Sequence, residues 1–176
     1  HRIRRYSLQS KVVLMTSAVL IVLPALYFFF YEYDHETIHD RTIHSLFQSV
    51  TTRTAGFNTT DLAAMDESGT AIMVILMLIG GSPGSTAGGM KTATFAVLFL
   101  SAITVLRRRN DVQCFKRRIS DETVRSAGAV LFMYLVLFFT SGVIISRVED
   151  LPLLTCLFET SSAIGTVGLS LGITSG

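Results

Sequence analysis

The chain is 176 residues long, 49% apolar and only 16% charged, with a mean hydropathy of +0.51. Soluble domains carry about 25% charged residues, so the deficit disfavours an ordinary water-soluble globule. Fifteen Lys and Arg against thirteen Asp and Glu leave a net charge of +2, too balanced for a nucleic-acid binder, and the two cysteines, Cys114 and Cys156, are too few for a disulfide framework or a Cys-rich zinc site.

The chain opens at His1 and stops at Gly176 on a Gly-Ile-Thr-Ser-Gly run, as expected of a piece of a longer protein. Arg2, Arg4, Arg5 and Lys11 precede twenty residues without a charge, 12–31. A helix needs about 20 such residues to cross a hydrocarbon core roughly 30 Å thick, so this stretch is predicted to span a membrane. Pro24 lies inside it, where a membrane helix is commonly only kinked. The run is too long for a signal peptide and has no small-residue cleavage site after it.

Residues 32–67 carry seven acids against Arg41 and Arg53 and are expected to face outward. Near their start His35-Glu36-Thr37-Ile38-His39 matches H-E-x-x-H in full. On a helix that spacing would set two imidazoles on one face with a glutamate as general base. The motif supplies an alternative function, a membrane-anchored zinc metalloprotease with His44 or Asp40 as third ligand. It lies in a short polar loop straight after a span, so a chance match is the better expectation.

Residues 42–53 contain Ile43, Leu46, Phe47 and Val50 and are predicted to form a re-entrant pore helix, about three turns long and too short to cross. They run into Thr54-Ala55-Gly56-Phe57, part of a predicted filter strand at 54–58. Arg53, just before a strand that would bind cations, is expected to point away from the pore, toward Asp61, Asp66 or Glu67. Asn58-Thr59-Thr60 fits a glycosylation sequon, but a glycan beside the strand would obstruct it.

The next stretch, 68–106, is thirty-nine residues with one charge, Lys91. As a single helix it would be about 58 Å long, nearly twice the hydrocarbon thickness. Its middle, 80–89, holds five glycines and a proline in ten residues and cannot stay helical. Two half-helices flanking a loop at membrane depth are predicted, an arrangement tolerated where the loop is buried in protein or lines a wet cavity. Such a break points to a transport pathway. A phosphate-binding reading of this loop fails because Met90 separates Gly89 from Lys91.

Residues 107–125 form a basic linker with Arg107, Arg108, Arg109, Lys116, Arg117, Arg118 and Arg125, expected in the cytoplasm with the N-terminus. A second span is predicted at 126–146, a second pore helix at 152–163 with Pro152 at its start, and a second filter strand at 166–170. Glu159, charged within that helix, is expected to pair behind the strand. Cys114 and Cys156 would lie on opposite sides of the bilayer.

At an offset of 112, Ser49 matches Ser161, Thr54 matches Thr166 and Gly56 matches Gly168. The predicted fold class is therefore an all-α integral membrane protein of repeated units: helix, re-entrant pore helix with filter strand, helix, as in potassium channels. Residues 1–106 are one complete repeat and 126–176 a partial second. Thr166-Val167-Gly168-Leu169-Ser170 is close to the Thr-Val-Gly-Tyr-Gly of potassium-channel filters, whose backbone carbonyls replace the hydration shell of the ion. Glycine suits such a strand because it permits backbone angles that let consecutive carbonyls point one way.

Three stretches together resemble the Trk, Ktr and HKT superfamily of potassium transporters: 51–59, Thr-Thr-Arg-Thr-Ala-Gly-Phe-Asn-Thr; 84–92, Gly-Ser-Thr-Ala-Gly-Gly-Met-Lys-Thr; and 166–169. The wording is closest to the bacterial Ktr membrane subunits, in their third and fourth repeats. The resemblance implies potassium uptake rather than catalysis, through four repeats around one pore. It implies a filter that here includes Thr54, Ala55, Gly56, Phe57, Thr166, Val167, Gly168 and Leu169. It also implies a gating loop, here Gly80, Gly81, Ser82, Pro83, Gly84, Ser85, Thr86, Ala87, Gly88, Gly89 and Lys91. Lys91, the one cation at membrane depth, is expected to hold that loop. Further implications are potassium as the bound ion with sodium a candidate coupling ion, a homodimer on a cytoplasmic nucleotide-binding ring of the KtrA type, and a multi-pass place in the bacterial inner membrane. Repeats one and two are absent, so this chain alone is not expected to conduct.

Overall fold

The computed structural model describes residues 8–81, 88–108, 113–114 and 117–172. Helix α1, Leu8–Tyr27, passes through Pro24 and widens four residues later into a π turn, Phe28–Glu32, closed by Tyr33 N–H donating to Phe28 O at 3.0 Å. Together they make an apolar helix of 24 residues, Gln9–Glu32, about 36 Å long and sufficient to cross a bilayer. Helix α2, Ile38–Thr51, starts at Thr37, whose hydroxyl accepts from Asp40 N–H. It therefore begins four residues before the expected start, because this cap lies upstream of the apolar run.

Helix α3, Glu67–Leu78, and helix α4, Thr92–Leu106, are the two halves of the long uncharged stretch. Between them Ile79 and Met90 form a parallel bridge. After α4 a two-residue antiparallel pair, Gln113–Cys114 with Arg117–Arg118, lies within the basic linker. Helix α5, Asp121–Glu149, is 29 residues, about 43 Å. Its first turn is charged rather than apolar: Ser120 caps it, and Asp121 and Glu122 complement the helix dipole. The linker ends accordingly at 120. Helix α6, Leu153–Gly165, has Pro152 as its N-cap, so it begins one position after the expected first helical residue, Pro152 itself.

Helix α6 packs on both α3 and α5, and α1 packs on α2 and α4. The core holds Phe28, Met73, Met77 and Phe158, all fully buried, beside Val167 and Leu169. The two short helices bury polar faces: Ser45, Gln48, Ser49 and Thr51 on α2, and Glu159, Thr160, Ser161 and Ser162 on α6. Outward stand Leu14, Val22, Phe132, Met133 and Val148, and only 11% of each long apolar helix is buried against the chain. A water-soluble fold would reverse this arrangement, whereas hydrocarbon rewards apolar exposure and demands that polar groups be satisfied inside.

Candidate functional site

A threonine in the left-handed region follows each short helix, Thr54 three residues past the end of α2 and Thr166 as the C-cap of α6, and in both a glycine with positive φ comes two residues later. The values are 68° at Thr54 and 71° at Gly56, then 54° at Thr166 and 92° at Gly168. The likeness extends into the helices. Ser49 and Ser161 are fully buried and donate to the carbonyls three residues back, Leu46 O at 2.9 Å and Phe158 O at 2.8 Å. Positive φ at alternate residues permits successive carbonyls to share one side of a strand, the arrangement a dehydrated cation requires. The strands are brought together: a Cβ added at Gly56 would overlap the Val167 carbonyl oxygen.

Their surroundings differ. Val167 and Leu169 point into the core, 5% and 3% exposed, whereas Phe57 is 72% exposed. The first strand is tied back instead by Thr51, whose hydroxyl donates to Phe57 O at 2.5 Å. The second is held at its far end by Glu159, which accepts from Ser170 Oγ at 2.7 Å and Leu171 N–H at 2.8 Å. The expected pairing of Glu159 behind the strand thus takes the form of hydrogen bonds to the strand's own continuation. A groove of about 580 Å³ runs along this strand between α5 and α6, with Ser141, Glu159, Thr166 and Gly168 in its wall.

Of the expected loop, Gly80, Gly81, Gly88, Gly89 and Lys91 are described, while Ser82, Pro83, Gly84, Ser85, Thr86 and Ala87 lie outside the described residues. The near foot is stitched to the far one by Gly80 N–H donating to Met90 O at 2.9 Å and Thr92 N–H donating to Gly81 O at 3.1 Å. The far foot reaches the second strand, where Gly88 N–H donates to Thr166 Oγ1 at 2.7 Å. Tyr134 of α5 donates to Ile164 O at 3.0 Å and faces the Gly89 backbone N–H. Lys91 is the N-cap residue of α4 and half-buried.

Arg53 departs from expectation. Its guanidinium turns from Asp61, Asp66 and Glu67 toward Thr92 Oγ1 at 3.1 Å, and Gly80 O and Ser17 O at 3.5 Å each. Attraction to an acid is the usual guide to an arginine, but these acids follow the strand in the chain, and packing brings the oxygens of Thr92, Gly80 and Ser17 within reach instead. Tyr134, Thr51 and Thr92 are site residues that spacing did not single out. The available signal was a lone phenol in an otherwise apolar span, and hydroxyls beside a glycine break.

The zinc alternative does not survive. Thr37 caps α2, so His35 and Glu36 precede the helix and cannot share a face with His39. Glu36 is taken by His44 at 2.7 Å, and His35 stands 74% exposed beside Asp34. No group of three metal-ligating side chains occurs among the described residues. The acidic segment has structural work instead. Glu32 accepts from Asp66 N–H at 2.9 Å at the start of α3, and Arg41 lies over the Phe29 ring at 4.2 Å while donating to Phe29 O. Burial pushes the Tyr33 phenol up, so it stays protonated and shares a hydrogen bond with Thr60 at 3.3 Å.

The sequence model for TrkH, described as a cation transport protein, matches residues 3–176. The chain belongs to the TrkH family. It is 37% identical over 179 residues to Ktr system potassium uptake protein B of Bacillus subtilis, and 36% identical over 178 residues to Ktr system potassium uptake protein D of the same organism. To the potassium/sodium uptake protein NtpJ of Enterococcus hirae it is 33% identical over 183 residues. These alignments cover 98%, 99% and 99% of this chain but only 40%, 40% and 41% of the relatives. The chain thus spans about two fifths of the length of the relatives it matches. The family is one of transporters rather than enzymes, and the two long apolar helices suit a membrane protein.

Proposed function

We propose that this chain is part of the pore-forming subunit of a potassium uptake system, and that Thr54, Ala55, Gly56, Phe57, Thr166, Val167, Gly168 and Leu169 supply two strands of its filter. The observation that carries the reading is the matched pair of positive-φ Thr-x-Gly strands lying against each other. Potassium is the expected ion because the TrkH relatives are named as potassium uptake proteins, and NtpJ's name adds sodium as a second ion. Residues 80–91 serve as the gate under the filter, with Lys91 holding the loop. The contact of Gly88 with Thr166 supports that assignment. Two of the relatives are named as members of a Ktr system, which supports assembly with other subunits; the partners proposed are a second copy of the membrane subunit and a nucleotide-binding ring of the KtrA type. The site is the bacterial inner membrane, crossed several times, with the basic linker inside.

The test is rubidium and potassium uptake by a strain lacking its own potassium transporters. The intact transporter carrying this chain should restore growth at low potassium and concentrate rubidium. Normal membrane abundance without cation uptake would overturn the reading.

A further inference from the structure

Arg53 sits one residue before the first strand, half-buried, and no carboxylate among the described residues pairs with it. Its Nε–H is buried without a partner among those residues. An arginine in that position carries a desolvation cost that an apolar residue would avoid, and ionisable groups at membrane depth are functional by default. Its remaining donors converge on neutral oxygens from three separate elements: Ser17 in α1, Gly80 at the near foot of the loop, and Thr92 at the start of α4. Thr92, itself fully buried, accepts from Arg53 and donates onward to Gly80 O at 3.2 Å. Met90 N–H donates to Leu78 O at 3.1 Å, which closes the knot between the feet.

We propose that Arg53 is a positioning residue which, through the Thr92 hydroxyl, holds both feet of the interrupted span against the end of the first pore helix. The side-chain type follows from the geometry. A planar fork with five donors reaches oxygens on three elements at once, whereas a lysine delivers the same charge to a single point. Arg53 is bonded through the chain to Thr54, so the feet and the first strand move together. This rests on the reading of the strands as a filter and of the loop as its gate.

The experiment is a double-mutant cycle on Arg53→Lys and Thr92→Val, with Thr92→Ser as the conservative control, read as rubidium uptake by the intact transporter at matched membrane abundance. Each of the first two variants should shift the maximal rate about fivefold in the same direction while KM stays within about twofold, because the fork and not the filter oxygens is lost. The double variant should go no further than the larger single one, and Thr92→Ser should match the wild type. A wild-type rate in Thr92→Val, effects that multiply, or a KM that moves with the rate would each overturn the proposal. Should Arg53→Lys fail to reach the membrane, the Val and Ser pair at Thr92 decides alone. A wild type that moves sodium and not potassium overturns the potassium reading, and the ratios between variants, read on sodium flux, still decide this one.

Discussion

Gly56 and Gly168 occupy equivalent places and share a positive φ, yet their neighbours differ. Around Gly168 an added Cβ would meet nothing within 4 Å, so Gly168→Ala should cost only the left-handed strain, about 1–2 kcal/mol. At Gly56 the same methyl would overlap a backbone carbonyl that cannot rotate away, so Gly56→Ala should destabilise by about 3 kcal/mol or more. Thermal unfolding of the purified intact transporter checks the order, and a larger loss at Gly168 would contradict it. The glycines were legible from the repeat offset. The left-handed Thr54 and Thr166 were not, since a β-branched residue disfavours that region; Thr166 adopts it as the C-cap of α6 and Thr54 in the turn that follows α2.

Among the elements, the two short helices were legible as existing and as too short to cross, because charge-free length is a property of sequence alone. Which face each buries was not, because hydroxyl-bearing faces are buried only when hydrocarbon surrounds the assembly and the polar side can be satisfied within. Helix α5 shows the same division. Its apolar length is written in its residues, but the docking of Tyr134 on the last turn of α6 is a matter of rotation about its axis. Tyr134→Phe removes that hydrogen bond and leaves the carbonyl of Ile164 to find another donor. Stability should fall by about 1 kcal/mol, measured by denaturant or thermal unfolding, and an unchanged midpoint would show that the bond contributes nothing. Arg53 likewise was visible as a misfit before a cation-binding strand, and its partners were not, because they come from segments 36 and 39 residues away in sequence.

At the scale of the whole molecule, charge placement sets direction. By the positive-inside rule the acids of 32–67 are expected on the outer side and the basic residues between α4 and α5 on the inner side. In a background with Cys114 and Cys156 replaced by alanine, a cysteine at exposed Asp34 should react with an impermeant thiol reagent applied to intact cells. One at exposed Asp121 should react only after permeabilisation, and the reverse pattern would overturn the orientation. By itself the sequence determined the long apolar helices, the glycine break and the repeated Thr-x-Gly, because apolar length and backbone permissiveness act locally. Only the tertiary structure decided that the two strands touch, that Arg53 grips the loop feet rather than an acid, and that H-E-x-x-H straddles a helix cap. Each of those depends on groups distant in the chain or on where a helix starts, and a hydrogen bond is made by whichever partner packing brings within reach.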